Sequence, residues 1–475
     1  MSPTLASRTV LLGLLIRAAA ALNCSIPPIY VDVHTRAVHG SDFFQYGAFF
    51  GFGSPSQNQS LLPSFRHDET SVASTDFCAE STLQNCDHST RGDFDFNQSL
   101  TWRDLPAKSA NVNPISQDII RGQDTIHIYT HFFETDPATD KPLSDMPITV
   151  ATNGSTIPGV LGLGPASTLL EVLVSAGFIA SKSFGFYVGT GFPRALGNGP
   201  GHVNGSLTLG GHDTGRWTGD MHTYDIAPDA ANAMTVEVAD IILDDPTGLV
   251  RSTSLFDSSR FPGTKKDAFE ARISGDTFPF SFPRQLTANF MQALAAKRSN
   301  SSDGSLALEK PFNGTMTVVL GDGFSVSIPA DLMSIGAEQL SAVAAPPADD
   351  EEEDFILGLA YLTQTYIAAS YSSTPPKFHL AQAVQTAPFI QPAPLCANEV
   401  PEQLKEEKAS EFQKTGMIGA VIGGVLGGLA MLALGLWAGL WWMRRKAIMK
   451  MEMRQMEREM EKRKLGEFEF GVDRV

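Results

Sequence analysis

Short apolar runs separated by Gly, Pro, Asn and Asp dominate residues 28–390. In runs such as 125–133 and 315–320, β-branched and aromatic residues are frequent, and apolar positions alternate with polar ones. Runs of this kind are typical of β-strands. A helical spacing of apolar residues occurs at 167–177 and at 284–297, and it is rare elsewhere in this region. The pattern therefore predicts a mostly-β protein.

The two ends of the chain break this pattern. Residues 1–22 combine an early arginine, a short apolar run and a group of small residues, which is typical of a secretory signal peptide. Residues 416–443 carry no charge and are more numerous than the roughly 20 that span a bilayer. Basic residues follow at once, and positive charge favours the cytoplasmic side of a membrane.

These features predict a single-pass type I protein of the plasma membrane, anchored by a transmembrane helix at 416–443. The ectodomain would be extracellular, and the tail at 444–475 would be cytoplasmic. A vacuolar or endosomal membrane satisfies the same topology and stays open as an alternative. Gly419, Gly423 and Gly427 have the spacing of small residues that brings two such helices together, so a helix-mediated dimer is a further expectation.

The region between the two ends is too long for one small core. The sequence predicts an N-terminal lobe at 23–215, a C-terminal lobe at 216–390, and a stalk at 391–415 that is rich first in proline and then in charge. The phrase Val160-Leu-Gly-Leu163 recurs as Ile356-Leu-Gly-Leu359. Duplication of a β lobe would produce such a repeat.

The composition excludes some partners. The full chain has 35 Lys and Arg residues against 52 Asp and Glu residues. Without 1–22 and 444–475, 23 basic and 45 acidic residues remain, which makes nucleic acid and anionic lipid poor partners for the ectodomain. The histidines lack the His-Glu-x-x-His spacing of a zinc site, and no phosphate-binding glycine loop occurs. The sequence therefore predicts neither a metal nor another cofactor.

Glycosylation and disulfides are expected in a secreted domain. All four cysteines precede the predicted membrane segment, and Cys78 and Cys86 are close enough in sequence to close a small loop. Cys24 and Cys396 would then join the two ends of the ectodomain, although the sequence alone allows three pairings. The glycosylation sequons stand at Asn23, Asn58, Asn97, Asn153, Asn204, Asn300 and Asn313.

Five segments along the chain form a series: 53–57, 91–102, 157–187, 204–219 and 355–381. In residues and in order they resemble segments of the pepsin-like aspartic peptidases, especially those of the fungal membrane-anchored branch. The resemblance covers nearly the whole predicted ectodomain. It implies a mostly-β, bilobal acid-protease fold with a central cleft, followed here by one C-terminal transmembrane helix.

The reaction of that family needs two aspartates that share one proton across a water molecule. The family pattern places the first aspartate seven residues after the position of Gln57, where this chain has Ser64. It places the second nine residues before the proline that opens the next helix, and counting back from Pro283 gives Ser274. Both positions carry serine, so the resemblance implies that no catalytic residue is present.

Other interpretations stay open. Asp276 lies two residues after Ser274 and keeps its strand parity, so a rearranged dyad with a partner such as Asp68 is conceivable. An active aspartic endopeptidase would then act on secreted or cell-wall proteins at acidic pH. The string Asp213-Thr-Gly215 matches the catalytic signature, but it follows a Gly-Gly turn, and we interpret it as a structural turn. In the best local match to the flap, Arg121 replaces the family's aromatic residue.

The favoured hypothesis is a catalytically inactive aspartic peptidase homologue. Its inter-lobe cleft would bind a peptide or a cell-wall polymer at the cell surface. A purely structural domain, and a receptor that signals through its tail, are also compatible with the sequence.

Overall fold

The computed structural model of the chain describes residues 24–83, 85–106, 118–129, 140–192, 203–227, 233–246, 250–265, 267–336, 338–346, 354–386, 390–403 and 411–469. The predicted signal peptide and the sequon at Asn23 lie outside these residues. The chain forms two compact units, the first ending at Gln403 and the second beginning at Leu404.

The first unit consists mainly of strands, which confirms the prediction of a mostly-β protein. Alternation explains strands with one buried face: in Thr315–Leu320 the side chains of Met316, Val318 and Leu320 are buried and those between them are more exposed. The strands are β1 (Ile29–Ala37), β2 (Phe44–Phe52), β3 (Gln57–Ser64), β4 (Thr70–Ser74), β5 (Asp93–Phe94), β6 (Arg103–Asp104), β7 (Asp118–Tyr129), β8 (Asp140–Asn153), β9 (Val160–Gly162), β10 (Ser183–Gly189), β11 (Asn204–Leu209), β12 (Gly211–Asp213), β13 (Trp217–Asp225), β14 (Thr235–Asp244), β15 (Thr253–Ser254), β16 (Phe269–Ile273), β17 (Ala296–Arg298), β18 (Ser305–Leu308), β19 (Thr315–Leu320), β20 (Ser325–Ile328), β21 (Leu340–Ala344), β22 (Ile356–Leu357), β23 (Thr365–Ser370), β24 (Lys377–Ala383) and β25 (Pro392–Pro394).

The helices of the first unit are short. Those predicted at 167–177 and 284–297 are both present, because each has a clear local start or stop. Ser167 caps the first, its hydroxyl accepting a hydrogen bond from the Leu170 amide, and the second ends three residues early because Ala295 takes a left-handed conformation. The α-helices are α1 (Phe77–Glu80), α2 (Thr168–Ser175), α3 (Arg284–Leu294), α4 (Ala330–Met333), α5 (Leu359–Leu362) and α6 (Glu411–Glu469).

Two sheets organise the first unit. The larger one has 14 strands in the order β13-β24-β23-β10-β11-β1-β2-β3-β9-β4-β8-β7-β6, with β5 beside β4. The second has six strands in the order β20-β19-β14-β16-β22, with β15 beside β14. Smaller pairings are β12 with β25, and β17-β18-β21. Most neighbours are antiparallel. The parallel pairs are β3 with β9, β4 with β5, β4 with β8, and β16 with β22.

One apolar core runs through both sheets. It contains Phe50 and Phe186 of the large sheet together with Val238 of the six-stranded sheet and Phe290 of helix α3, all without exposed surface. Full burial of one such side chain contributes about 1.5–3 kcal/mol, so the shared core holds the two sheets together.

Disulfides close the first unit at two places. Cys24 is bonded to Cys396, and Cys78 to Cys86, in agreement with the predicted pairing. Residues 391–403, the first part of the predicted stalk, lie against this unit. Within them β25 pairs with β12, and Leu395 is buried.

Helix α6 of the second unit contains the segment predicted to cross a membrane. In the part of the chain that the structure describes, however, no helix combines the length and the apolarity that a bilayer span requires. This finding overturns the predicted transmembrane helix at 416–443 and the single-pass location, whether at the plasma membrane or at a vacuolar or endosomal one.

Candidate functional site

Two strands of the first unit end at corresponding places. Strand β3 ends at Ser64, which lies opposite Gly162 of the parallel strand β9. Strand β16 ends just before Ser274, whose amide donates to the Leu357 carbonyl of the parallel strand β22 at 3.0 Å. Gly162 and Gly358 belong to the two copies of the repeated sequence phrase. Ser64 and Ser274 thus follow equivalent strands, each beside a glycine of the repeat.

The loops that contain these serines touch each other. A Cβ atom added at Gly275 would lie 2.3 Å from the Pro63 carbonyl oxygen and 3.0 Å from the Phe65 ring, so only glycine allows this approach. The Phe65 ring is itself fixed, because it is buried and stacks on Phe184 with ring centroids 5.3 Å apart. The two strand ends therefore meet at one point of the unit.

The two serines have different hydrogen-bond partners. The Ser64 hydroxyl has no exposed surface and accepts a hydrogen bond from the His67 amide at 3.3 Å. The Ser274 hydroxyl is 2 % exposed and donates to the Asp276 carboxylate at 2.5 Å. Neither strand end carries a carboxylate at the position predicted for a catalytic aspartate. Since a serine hydroxyl does not ionise near neutral pH, two serines cannot replace a pair of carboxyls that shares a proton.

A cavity of about 640 Å³ opens beside this meeting point. It lies within the range of sizes typical of ligand sites. Its lining has an N-terminal group, from residues 62–192, and a C-terminal group, from residues 272–359. The N-terminal group consists of Leu62, Arg66, His67, Leu83, Ser89, Arg91, Ser155, Thr156, Ile157, Gly159, Val160 and Phe192, and the C-terminal group of Arg272, Asp276, Thr277, Phe278, Pro279, Ser302, Asp303, Ser305, Ile335, Leu340 and Leu359.

Charge is unevenly distributed over this lining. The carboxylates, Asp276 and Asp303, both belong to the C-terminal group. The cation of that group, Arg272, is neutralised by Asp354, which accepts hydrogen bonds from Arg272 Nε at 3.0 Å and Nη2 at 2.6 Å. The ionisable residues of the N-terminal group are all basic: Arg66, His67 and Arg91.

Arg91 is the most enclosed of these basic residues. Its backbone amide donates to Gln45 Oε1 and its Nη1 to the Tyr46 carbonyl, both at 2.6 Å. Its Nε is buried and has no hydrogen-bond partner among the described residues. Burial lowers the pKa of the guanidinium to about 10, so it still carries its charge at neutral pH.

The structure does not bring Asp68 together with Asp276. Asp68 Oδ1 accepts a hydrogen bond from the Ala166 amide at 2.8 Å, and its carbonyl accepts one from the Thr168 amide at the start of α2. Burial raises the pKa of this carboxyl above its usual value. Asp276 lines the cavity and Asp68 does not. The described contacts therefore give the two carboxyls different partners and no shared site.

Asp213 occupies a buried turn. Its Oδ1 accepts from the Gly215 amide at 3.0 Å and from the Gln391 amide at 2.8 Å, while its own amide donates to the Tyr366 hydroxyl at 2.8 Å. Burial raises the pKa of this carboxyl. These contacts are those of a turn that ties β12 to residue 391, and they agree with the structural interpretation of Asp213-Thr-Gly215.

Arg121 lies in the long strand β7 and forms a buried ion pair with Glu69, near the start of β4. The hydroxyl of Thr149 donates to the same carboxylate at 3.1 Å. Arg121 therefore connects three neighbouring strands of the large sheet and is not part of the cavity lining.

The sequon asparagines differ in exposure. Asn58 and Asn153 lie within strands and are partly buried. The asparagines that are exposed, as glycosylation requires, are Asn97, Asn204, Asn300 and Asn313.

Arg91 is a cavity residue that sequence reasoning did not assign. It adopts a left-handed conformation with φ 71°, and its side chain passes across Gly159, where an added Cβ atom would lie 2.2 Å from the Arg91 Cβ. Neither feature has a local sequence signal, because the contact joins residues 68 positions apart.

The chain matches no model of a known protein family and none of the curated proteins with which it was compared. The cavity lining is a mixture of apolar, hydroxyl-bearing and charged side chains.

Proposed function

We propose that the first unit is a two-lobed, pepsin-like domain that has lost its catalytic dyad and binds a peptide in its cavity without cleaving it. The observation that carries this proposal is the equivalence of Ser64 and Ser274. Each follows a strand that pairs in parallel with a Gly-containing copy of the repeated phrase, and each stands where the family pattern has an aspartate.

The proposed loss of activity has a chemical reason. Peptide hydrolysis by this family's mechanism requires one carboxylate as base and one carboxylic acid as acid, on opposite sides of a water. Here Asp276 is the carboxylate that accepts a hydrogen bond from the Ser274 hydroxyl. A single carboxylate supplies one half of that pair.

Binding is supported by the composition of the cavity. Apolar side chains such as Leu62, Ile157 and Phe278 alternate with hydroxyl groups of Thr156 and Thr277. A peptide presents the matching combination of apolar side chains and hydrogen-bonding amides. A cavity of about 640 Å³ has room for a few residues of such a ligand.

The test is incubation of the purified full-length chain with a diverse peptide mixture between pH 3 and pH 7, with products identified by mass spectrometry. We expect no cleavage above that of a blank at any pH. Asp276→Asn and pepstatin serve as probes of a rearranged dyad, and Asp303→Asn, which removes another carboxylate from the same lining, is the matched control. Cleavage that is abolished by pepstatin and by Asp276→Asn, but not by Asp303→Asn, would overturn the proposal and establish an active aspartic endopeptidase.

A further inference from the structure

Arg91, whose Nε atom is buried, differs from three other enclosed arginines of the first unit in having no carboxylate partner. Arg121 pairs with Glu69, Arg272 with Asp354, and the Arg216 Nε lies 3.8 Å from an Asp213 oxygen. Arg91 forms no ion pair with the described residues, and its side chain donates to the Tyr46 carbonyl. The other arginines thus show how this protein usually compensates a buried guanidinium.

An uncompensated buried charge is costly, because the side chain loses water without gaining an opposite charge. The Tyr46 carbonyl satisfies only one nitrogen of the Arg91 fork, and Nε remains without an acceptor. A bidentate acceptor such as a carboxylate would satisfy a guanidinium far better than one carbonyl does.

Arg91 is itself one of the cavity-lining residues, so an acceptor bound in the cavity lies beside it. The side chain is held on one side by the Tyr46 carbonyl and passes over Gly159, which itself lines the cavity. Arg66 and His67 belong to the same part of the lining, whereas the carboxylates belong to the C-terminal group. An anionic group would therefore be attracted to the N-terminal group of the lining.

We propose that Arg91 is a subsite for a carboxylate of the bound peptide, so that the cavity selects ligands with an acidic group at this point. The inference rests on the proposed peptide-binding function and specifies the ligand class. Two sources supply the same chemistry: the side chain of Asp or Glu, and the carboxylate at the end of a peptide.

The experiment measures binding of four short fluorescent peptides to the full-length chain at pH 7 by fluorescence anisotropy. The peptides share one sequence, carry either Glu or Gln at one position, and end in either a free or an amidated carboxyl. A Glu peptide that binds about tenfold more tightly than its Gln counterpart identifies a side-chain ligand, since a charge-assisted bond of this kind is worth roughly one power of ten in affinity. A similar advantage of the free over the amidated terminus identifies a terminal carboxylate.

Variants then test whether Arg91 is the residue that causes the preference for an acidic peptide. We expect Arg91→Gln to abolish it, so that the four peptides bind this variant equally, and Arg91→Lys to retain a reduced preference. The matched control is Arg103→Gln, which removes the same charge from a side chain that is 69 % exposed and lies outside the cavity lining. It should leave the preference unchanged.

The outcomes separate the inference from the proposed function. Equal binding of all four peptides by the unmodified chain overturns the inference and leaves peptide binding intact. An acid preference that persists in Arg91→Gln also overturns it. If none of the peptides binds, the proposed function itself is contradicted. The comparison among peptides on the unmodified chain decides the question even where a variant fails to fold.

Discussion

The loop after β3 and the loop after β16 lie at equivalent places, but their surroundings differ. In the first loop Ser64 is followed by Phe65, whose ring packs against Phe184 in the apolar core. In the second loop Ser274 is followed by Gly275 and by Asp276, a carboxylate that lines the cavity. The first loop is part of the core, and the second places a polar side chain at the cavity.

Under the proposed function, this difference means that the two sides of the former catalytic site now differ in character. A shared proton requires that both loops present an acid. In the first loop an aromatic ring occupies the interior beside the serine, so no carboxylate can be introduced there by a small shift of register. In the second loop a carboxylate is close by, but it has no partner across the contact between the loops.

The largest expected effect comes from removing the aromatic anchor of the first loop. Phe65→Ala deletes a buried ring that stacks on Phe184 and meets Phe186 edge-on with centroids 6.1 Å apart. We expect a loss of about 3–5 kcal/mol in the free energy of unfolding, measured by denaturant titration. The control Phe44→Ala truncates a ring that is 65 % exposed and should change stability by less than about 0.5 kcal/mol. Equal effects of the two changes would contradict the role given to Phe65.

A smaller effect is expected where the loops touch. Gly275→Ala places a methyl group 2.3 Å from the Pro63 carbonyl oxygen, so the two loops must separate. Overpacking of this kind costs about 1–3 kcal/mol in the free energy of unfolding. Gly435→Ala, in helix α6, is the control because nothing lies within 4 Å of its new methyl group. A Gly275→Ala variant as stable as the unmodified chain would show that the loops are not in close contact.

The two serines themselves should differ in importance. Ser274→Ala removes a donor to a carboxylate and is expected to cost about 1–2 kcal/mol. Ser64→Ala removes a neutral acceptor at the longer distance of 3.3 Å, and we expect a cost of about 0.5 kcal/mol. The same chemical change at equivalent positions makes each variant the control of the other. A larger cost at Ser64 would reverse the comparison.

The smallest expected effect is on stability near neutral pH, where Asp68→Asn and Asp276→Asn should change the free energy of unfolding in opposite directions. Burial raises the pKa of Asp68, so its neutral form is favoured in the folded state. Its stabilising contribution is complete below the ordinary pKa of 3.8 and is lost as the pH rises through the folded-state value. Asp68→Asn cannot ionise, and it should gain stability relative to the unmodified chain as the pH rises above 4. Asp276→Asn weakens the bond from Ser274 and should instead lose stability at pH 7.

Denaturant midpoints measured at several pH values between 4 and 7 would check both variants. A destabilised Asp68→Asn at neutral pH would show that its bond from the Ala166 amide outweighs the burial of its charge.

Much of the scaffold could be predicted from the sequence. Periodicity identifies strand β19 and helix α2 because their signals are local: alternating apolar residues in one, and the capping hydroxyl of Ser167 in the other. Counting along the chain was also enough to find Ser64 and Ser274, since each lies at a fixed distance from a turn or a helix start.

The remaining features depend on contacts between residues that are distant in sequence, and no local pattern predicts such contacts. The Arg91 position depends on Gly159, on Tyr46 and on a left-handed backbone, which come together only in the folded unit. The predicted membrane span at 416–443 was also wrong, since no helix among the described residues is long and apolar enough to cross a bilayer.

The most direct test of the central proposal asks whether the chain binds a peptide without cleaving it. The full-length chain would be incubated with a peptide mixture at pH 4 and at pH 7 and separated from unbound peptide by gel filtration. The masses of the retained peptides would then be measured by mass spectrometry. We predict that a subset is retained and that each retained peptide keeps its input mass. Retained fragments that are shorter than the input, or no retained peptide at either pH, would contradict a binding domain without catalysis.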